Sequence, residues 1–485
     1  MAAKLQQISE LSKFLGEKNA VCNDFISLLG EFRLERALHN CKMEKIRGSK
    51  SVDLLRCLLI FRLCGLSIYQ SYCQHFGNMI GGGKNQFYRF LTRPDMDWRK
   101  LLYRVAQSFM AIVCRKSVEP TQWKYAIADD TTIEKTGATM EQITKVFDHT
   151  NHDYVLGYKL QLLALSDKKT TIPVDFSLHA EQRKDKSGGL TAKQRKARNK
   201  VHRDQSDCLQ KRVSELTDKK TDVLVAMLKR MYKYGIRPSV LLMDKWYCSA
   251  SLIREVRAIA HGAIHVITLL RDKRTKFVVN GKTKNAKQLC KEHETDLHQC
   301  RKYRCRYFRI DATMDGIPVR LFFVKYGRNA DWEVIVTTMT DISFVKAFED
   351  YQIRWSIEVL FKECKSYLHL GGCQSTNLNA QFADCTLVFV GYTIIALRKR
   401  FSDYETFGGL YHDLQVGLLE LTLLERILPI IVQILDSILI LCNITPDELL
   451  ERVLHSKEAN DQLLALLKYN QFVKEQGDIA GFLVD

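Results

Sequence analysis

The stretch YQIRWSIEVLFKECK, residues 351–365, decides how the rest of the chain is read. It holds no Pro or Gly, so it reads as a helix. On a wheel of about 100° per residue with Arg354 at zero, Lys365 falls at about 20°, Glu358 at about 40° and Tyr351 at about 60°. Ile353, Ile357, Phe361, Cys364 and Leu368 gather on the neighbouring flank. One flank is therefore apolar and packs. Beside it runs a stripe with one carboxylate set between cations and a phenol.

Two readings fit that stripe. Arg binds phosphate oxygens bidentately and Lys as a point charge, so Glu358 would hold a metal while its neighbours hold phosphates. At 1.5 Å per residue the stripe is about 21 Å long, enough to track several nucleotides. The other reading is ordinary surface pairing, because Arg354 and Lys362 are i±4 neighbours of Glu358.

Composition narrows the setting. A chain of 485 residues with 46% apolar residues has room for about two to four domains with real cores. Lys and Arg number 73 against 55 acids, a net charge of +18, which points to a polyanionic partner, nucleic acid first. The alternative is a merely basic enzyme. Fifteen cysteines are scattered, and MAAKLQQISE has no apolar signal region, so reduced cytosolic thiols are expected. Cys290, His293, His298, Cys300 and Cys305 cluster, but their spacing fits no common zinc pattern well. The longest apolar run, Leu418 to Leu441, carries Glu420, Glu425, Arg426 and Asp436, so it reads as a packed or partner-facing helix and not a membrane span.

Residues 1–118 read as helical. SVDLLRCLLIFRLCG is a buried-helix pattern ending at Gly65, and KNQFYRFLTRP is a further helix bearing Lys84, Arg89 and Arg93. The arrangement is compatible with a DNA-binding domain, and with a helix-turn-helix within it. After Pro120 the period changes. WKYAIADDTT, YVLGYKLQLLALSD and TTIPVDFSL read as three strands. DVLVAMLKRMYKYG is a helix, SVLLMD a strand, ASLIREVRAIA a helix and AIHVITLL a strand. That order is the order of a ribonuclease-H-like α/β mixed sheet. The core is read over 119–270 and resumes over 336–400. A β-rich insertion over 271–335 interrupts it, and a helical region over 401–485 follows. Arg183 to Arg203 holds nine Lys or Arg and one Asp, and reads as a solvated loop or a backbone-gripping arm.

Two acidic positions sit at strand ends. Asp129 and Asp130 close the first strand and face opposite ways, so only one reaches any given site. Asp244 closes the fourth, in MDKWY. Singly, such acids are often helix caps or turn residues. Trp246 and Tyr247, just after Asp244, read as packing under the site, with contact to DNA as the alternative.

The spacing Tyr, two residues, Arg, three, Glu, six, Lys resembles the Y-R-E-K signature of DDE transposases from bacterial insertion sequences, in the insertion-sequence-four family. The similarity covers about residues 120 to 400, and Asp, Asp and Glu stand in the order of that family's triad. The family's aspartate directly precedes Thr-Thr, which selects Asp130 and leaves Asp129 in reserve. The resemblance implies that Asp130, Asp244 and Glu358 hold two Mg²⁺ or Mn²⁺ ions for in-line phosphodiester cleavage. It implies a freed 3′-OH that attacks a second phosphodiester, through a hairpin at the transposon end. Tyr351, Arg354 and Lys365 would hold phosphates, and Trp332 would stack a flipped base unless it is a core residue. The partners implied are double-stranded DNA, as terminal repeats and target, and a second copy of the chain in a synaptic homodimer. The leucine-rich helix after residue 411 is a candidate dimer contact. A decayed DNA-binding protein without cleavage, or a structure-specific nuclease on the same core, are the competing functions.

Overall fold

The computed structural model describes residues 28–419 apart from 46, 77–81, 149–150, 181–189, 294 and 328–329, together with isolated positions beyond 440. The chain divides into compact units at Leu418. The expected helices of residues 1–27, and most of the 401–485 region with its leucine-rich dimer contact, lie outside the described residues.

One sheet organises the first unit. Its strands are β1 (Tyr125–Glu134), β2 (Thr144–Asp148), β3 (Asp153–Ser166), β4 (Thr171–His179), β5 (Val240–Met243), β6 (His265–Leu269), β7 (Lys276–Val279), β8 (Lys282–Asn285), β9 (His298–Cys300), β10 (Cys305–Met314), β11 (Ile317–Lys325) and β12 (Glu333–Thr337). The order is β2-β3-β1-β5-β6-β12-β11-β10-β7-β8, with β4 also on β3 and β9 on β10. β1, β5 and β6 run parallel, while β3 is antiparallel to β1 and β4 to β3. The run β4-β3-β1-β5-β6 is a ribonuclease-H-like core. VLLM of β5 is buried at every position, as expected for a parallel strand covered on both faces.

The β-rich stretch does not form a sheet of its own. β12 pairs antiparallel with β6, placing Ile335 opposite Leu269, and β11 and β10 extend the same sheet outward. The edge of β6 is therefore covered and its backbone hydrogen bonds are used.

Helices cover both faces. They include α1 (Ser51–Leu63), α2 (Asn85–Thr92), α3 (Trp98–Lys116), α4 (Lys220–Lys233), α5 (Ala250–Ala258), α6 (Phe344–Gln352), α7 (Trp355–Ser366) and α8 (Leu378–Arg400). Among the described residues α8 is the helix long and apolar enough to cross a membrane, and it is buried inside the protein. α1, α2 and α3 pack on it, and α3 also packs on β4. The N-terminal helices are thus part of the core's wall. α2 turns Phe87, Phe90 and Leu91 inward, Lys84 lies 4.4 Å from the Tyr69 ring, and Arg93 binds Asp95. α1 ends where expected. Gly65 takes a left-handed φ of 68°, and Leu66 N–H reaches back to the Phe61 carbonyl at 3.2 Å, a Schellman closure.

Residues 351–365 are not one helix. α6 ends at Gln352 and α7 begins at Trp355. Between them Arg354 N–H bonds the Tyr351 carbonyl at 3.0 Å and Ile357 N–H bonds the Arg354 carbonyl at 3.1 Å. These i→i−3 bonds tighten the chain to about three residues per turn, which eclipses side chains three apart. Tyr351 and Arg354 therefore come into line, and the guanidinium lies 5.8 Å from the phenol ring. The α7 stripe keeps its apolar flank, with Ile357, Phe361, Cys364 and Leu368 buried.

Candidate active site

The parallel register of β1 and β5 sets the first two acids. Ala128 stands opposite Met243, so Asp129 and Asp244 are the next position on each strand and share a face. Burial pushes the Asp129 carboxyl up to about 7, helped by the Asp130 and Asp244 charges, while the Asp130 N–H and Arg354 oppose the rise. Asp244 also caps the short helical turn after it, accepting from Trp246 N–H at 3.2 Å. The cap reading and the site reading of this residue coexist.

α7 packs on β1 and brings the third acid. Arg354 donates from one Nη to Asp129 Oδ2 at 3.1 Å and from the other to Glu358 Oε1 at 2.7 Å. Farther along the helix, Lys365 Nζ donates to Thr131 Oγ1 at 2.7 Å. Asp129 and Thr131 are two apart on β1 and so lie on one face. Arg354 and Lys365 therefore index the helix against that face. The Tyr351 hydroxyl is buried and makes no hydrogen bond of normal geometry. Burial raises it above the usual phenol range, with Asp244 and Asp129 adding to the rise and Arg354 opposing it.

Asp130 faces the other way. Lys220, at the start of α4, donates to Asp130 Oδ2 at 3.0 Å, and Lys159 of β3 lies 3.9 Å from the same carboxylate. Lys220 is also 5.3 Å from the Trp246 ring. Beneath lies a polar cluster in which Gln161 donates to the Tyr247 hydroxyl at 3.1 Å. The structure thus brings Asp129, and not the expected Asp130, together with Arg354 and Glu358. The reason is strand alternation, which a one-residue choice inverts. Tyr247 packs as expected, but Trp246 is 41% exposed.

Trp332 meets Phe308 edge-on at 5.3 Å, and Lys325 lies 5.6 Å from its ring, which is the packing of a partly buried aromatic. A cavity of about 420 Å³ opens beside Arg354, lined by Leu269, Tyr326, Phe348, Tyr351 and Trp355. Trp355 is 62% exposed at its mouth. The Arg and Trp of the RW pair at 354–355 were the available signal for it. Arg203, at the end of the basic stretch, is buried between Glu141 and Asp207. Cys300 and Cys305 face each other across β9 and β10, while His293 bonds Asp296.

Among the described residues, no three His, Cys, Asp or Glu side chains stand together at metal-ligating distance. The donor set is nonetheless hard and anionic. Asp129 is half-buried within reach of the Asp244 charge, and the positive charge between Asp129 and Glu358 is supplied by Arg354. Carboxylate oxygens of this kind suit Mg²⁺ or Mn²⁺.

Residues 63–287 match the family model described as DDE superfamily endonuclease, and residues 212–394 match the one described as transposase DDE domain. No curated protein matches the chain. Asp129 and Asp244 fall within the first match, and Asp244 and Glu358 within the second. On a ribonuclease-H-like sheet, the two matches support a DDE transposase, a nuclease-type enzyme with DNA as its substrate.

Proposed function

We propose that the chain is a cut-and-paste DNA transposase of the insertion-sequence-four type, with Asp129, Asp244 and Glu358 as its metal-holding acids. The observation that carries this reading is Arg354, which ties the β1 carboxylate to the α7 carboxylate on the face shared with Asp244. A pair of Mg²⁺ or Mn²⁺ ions, when bound, supplies activated water and Lewis acidity for in-line phosphodiester hydrolysis.

The chain's own residues do the rest. Asp129, Asp244 and Glu358 fix where the scissile phosphate sits. Arg354 and Lys365 lie on the same side of α7 and hold flanking phosphates as cations. Tyr351, half-buried with its ring 5.8 Å from the Arg354 guanidinium, orients that group and offers a hydroxyl to a phosphate oxygen. Cleavage frees a 3′-OH, which attacks a phosphodiester of the opposite strand, closing a hairpin and releasing the flanking strand; water then reopens the hairpin, and the regenerated 3′-OH attacks target DNA. Two ends must be handled together, so the working form is a homodimer at a DNA synapse.

The test is plasmid cleavage with Mg²⁺ by the native chain beside Asp129→Asn, Asp130→Asn and Asp244→Asn, followed by joining of a pre-nicked end to target DNA. Equal cleavage by the native and Asp244→Asn chains ends the catalytic reading. Cleavage without joining reduces it to a nuclease.

A further inference from the structure

At the end of β1 away from the carboxylates lies a basin of about 830 Å³. Lys116, Lys124, Lys168, Lys169, Lys346 and Arg400 line it. They converge from the end of α3, the start of β1, the β3–β4 turn, the first turn of α6 and the end of α8.

Of the acids nearby, Glu119 is exposed on the wall of the basin, while Asp167 and Asp350 are committed to cations. Asp167 takes Arg400 at 2.6 Å. Asp350, fully buried, accepts from the Tyr125 hydroxyl at 2.7 Å and carries both Lys346 and Lys168, the latter at 3.4 Å. Two ammonium groups on one carboxylate leave an excess of positive charge, and Lys124 and Lys169 add to it. Burial, with the Lys346 ammonium beside it, pushes Lys168 below the usual lysine range.

Ordinary helix electrostatics accounts for only part of this. Lys116 and Arg400 end α3 and α8, where the partial negative charge of a C-terminus favours cations. Lys346 sits in the first turn of α6, where the same effect opposes a cation. Lys168 sits at a left-handed φ of 78°, a conformation that Gly or Asn takes at less cost. A lysine held there keeps a charge at the rim of the basin at some conformational expense.

We propose that this basin grips the phosphate backbone of duplex DNA at a place separate from the cleft of Asp129, Asp244 and Glu358. Tyr125 and Asp129 are four residues apart on β1, about 13 Å at strand rise, so a duplex in the cleft would present different phosphates here. The contact is sequence-independent, made by point charges, and suits flanking or target DNA. It rests on DNA being the substrate.

The full chain and a Lys124→Ala/Lys168→Ala/Lys169→Ala variant are titrated with a random-sequence duplex of about 30 base pairs at several salt concentrations. The variant is expected to bind roughly ten- to hundredfold more weakly near physiological salt, with a salt slope lower by about two to three. Melting temperature checks folding, and Lys124→Ala/Lys169→Ala replaces the triple variant if it unfolds, with a slope change of about two. An unchanged affinity and slope overturns the proposal. So does a variant that loses only inorganic phosphate binding, which would make the basin a small-anion site. A chain that cuts no DNA yet shows the slope change keeps the basin and loses the transposase reading. A chain that cuts DNA with an unaltered slope does the reverse.

Discussion

Arg354 and Asp129 form a salt bridge at 3.1 Å across the boundary between α7 and β1, and the other arm of the same guanidinium holds Glu358. One cation thus occupies the place between two acids proposed to share a metal. Arg354→Ala removes that internal competitor. Mn²⁺ bound to the DNA-free protein, followed by electron paramagnetic resonance, is expected to tighten by a few-fold, while affinity for duplex DNA falls. Weaker Mn²⁺ binding in the variant would mean that Arg354 serves to assemble the acids and not to stand in for the metal.

The two neighbouring aspartates separate cleanly by substitution. Asp129→Asn is expected to lower plasmid cleavage by at least about a hundredfold, because ligand loss exceeds the 10–100-fold cost of losing a supporting contact. Asp130→Asn leaves Lys220 and Lys159 without their carboxylate and is expected to cost about 1–2 kcal/mol of stability, with cleavage less affected. Chemical denaturation and cleavage on the same preparations check both outcomes. The reverse ranking would return the metal role to Asp130.

His179 gives the fold a pH dependence. It is buried between Ser177, at 2.8 Å, and Gln161, at 3.2 Å, and burial with the Lys220 charge pushes its imidazole down to about 4 from 6.5. Between those values the unfolded chain takes up a proton that the folded chain refuses. Stability attributable to this group is therefore complete above pH 6.5 and is lost as pH falls toward 4. The loss amounts to about 3 kcal/mol at most. Urea midpoints from pH 7 to 4.5 should fall more steeply for the native chain than for His179→Gln. Parallel curves would show that other groups govern the acid limb.

The basic stretch after β4 divides into two parts with opposite roles. Arg203 is 4% exposed in its side chain and pairs with Glu141 and Asp207, so Arg203→Ala is expected to destabilise the fold by about 3–5 kcal/mol. Lys193, Arg195 and Lys196 are exposed on a short helix, Ala192–Ala197. Their joint replacement by Ala should leave the melting temperature unchanged and lower the salt slope of DNA binding by about two to three. A stable Arg203→Ala protein would contradict the buried-network account.

The strands and helices of the core were legible because each carries its own pattern: WKYAIADDTT, SVLLMD and AIHVITLL become β1, β5 and β6. Less legible were features decided by partners remote in sequence. Asp129 and Asp130 look alike in the chain, and only the α7 side of β1 against the α4 side distinguishes them. The tightened turn at 353–354 leaves no Pro or Gly to mark it. β2 was passed over because TKVFD is short and only half-buried. Trp332 and Trp355 carry the same side chain, and their contrasting exposure follows from which neighbours the folded sheet supplies.

The union of β6 with β12 has an evolutionary consequence. Cutting out residues 271–335 would strip β6 of its outer partner and leave a row of bare amide and carbonyl groups on the side away from β5. The segment is thus not a cassette that can be swapped or lost alone. Any shortened descendant would have to re-cover that edge with a new strand, or with another molecule, before it could remain soluble.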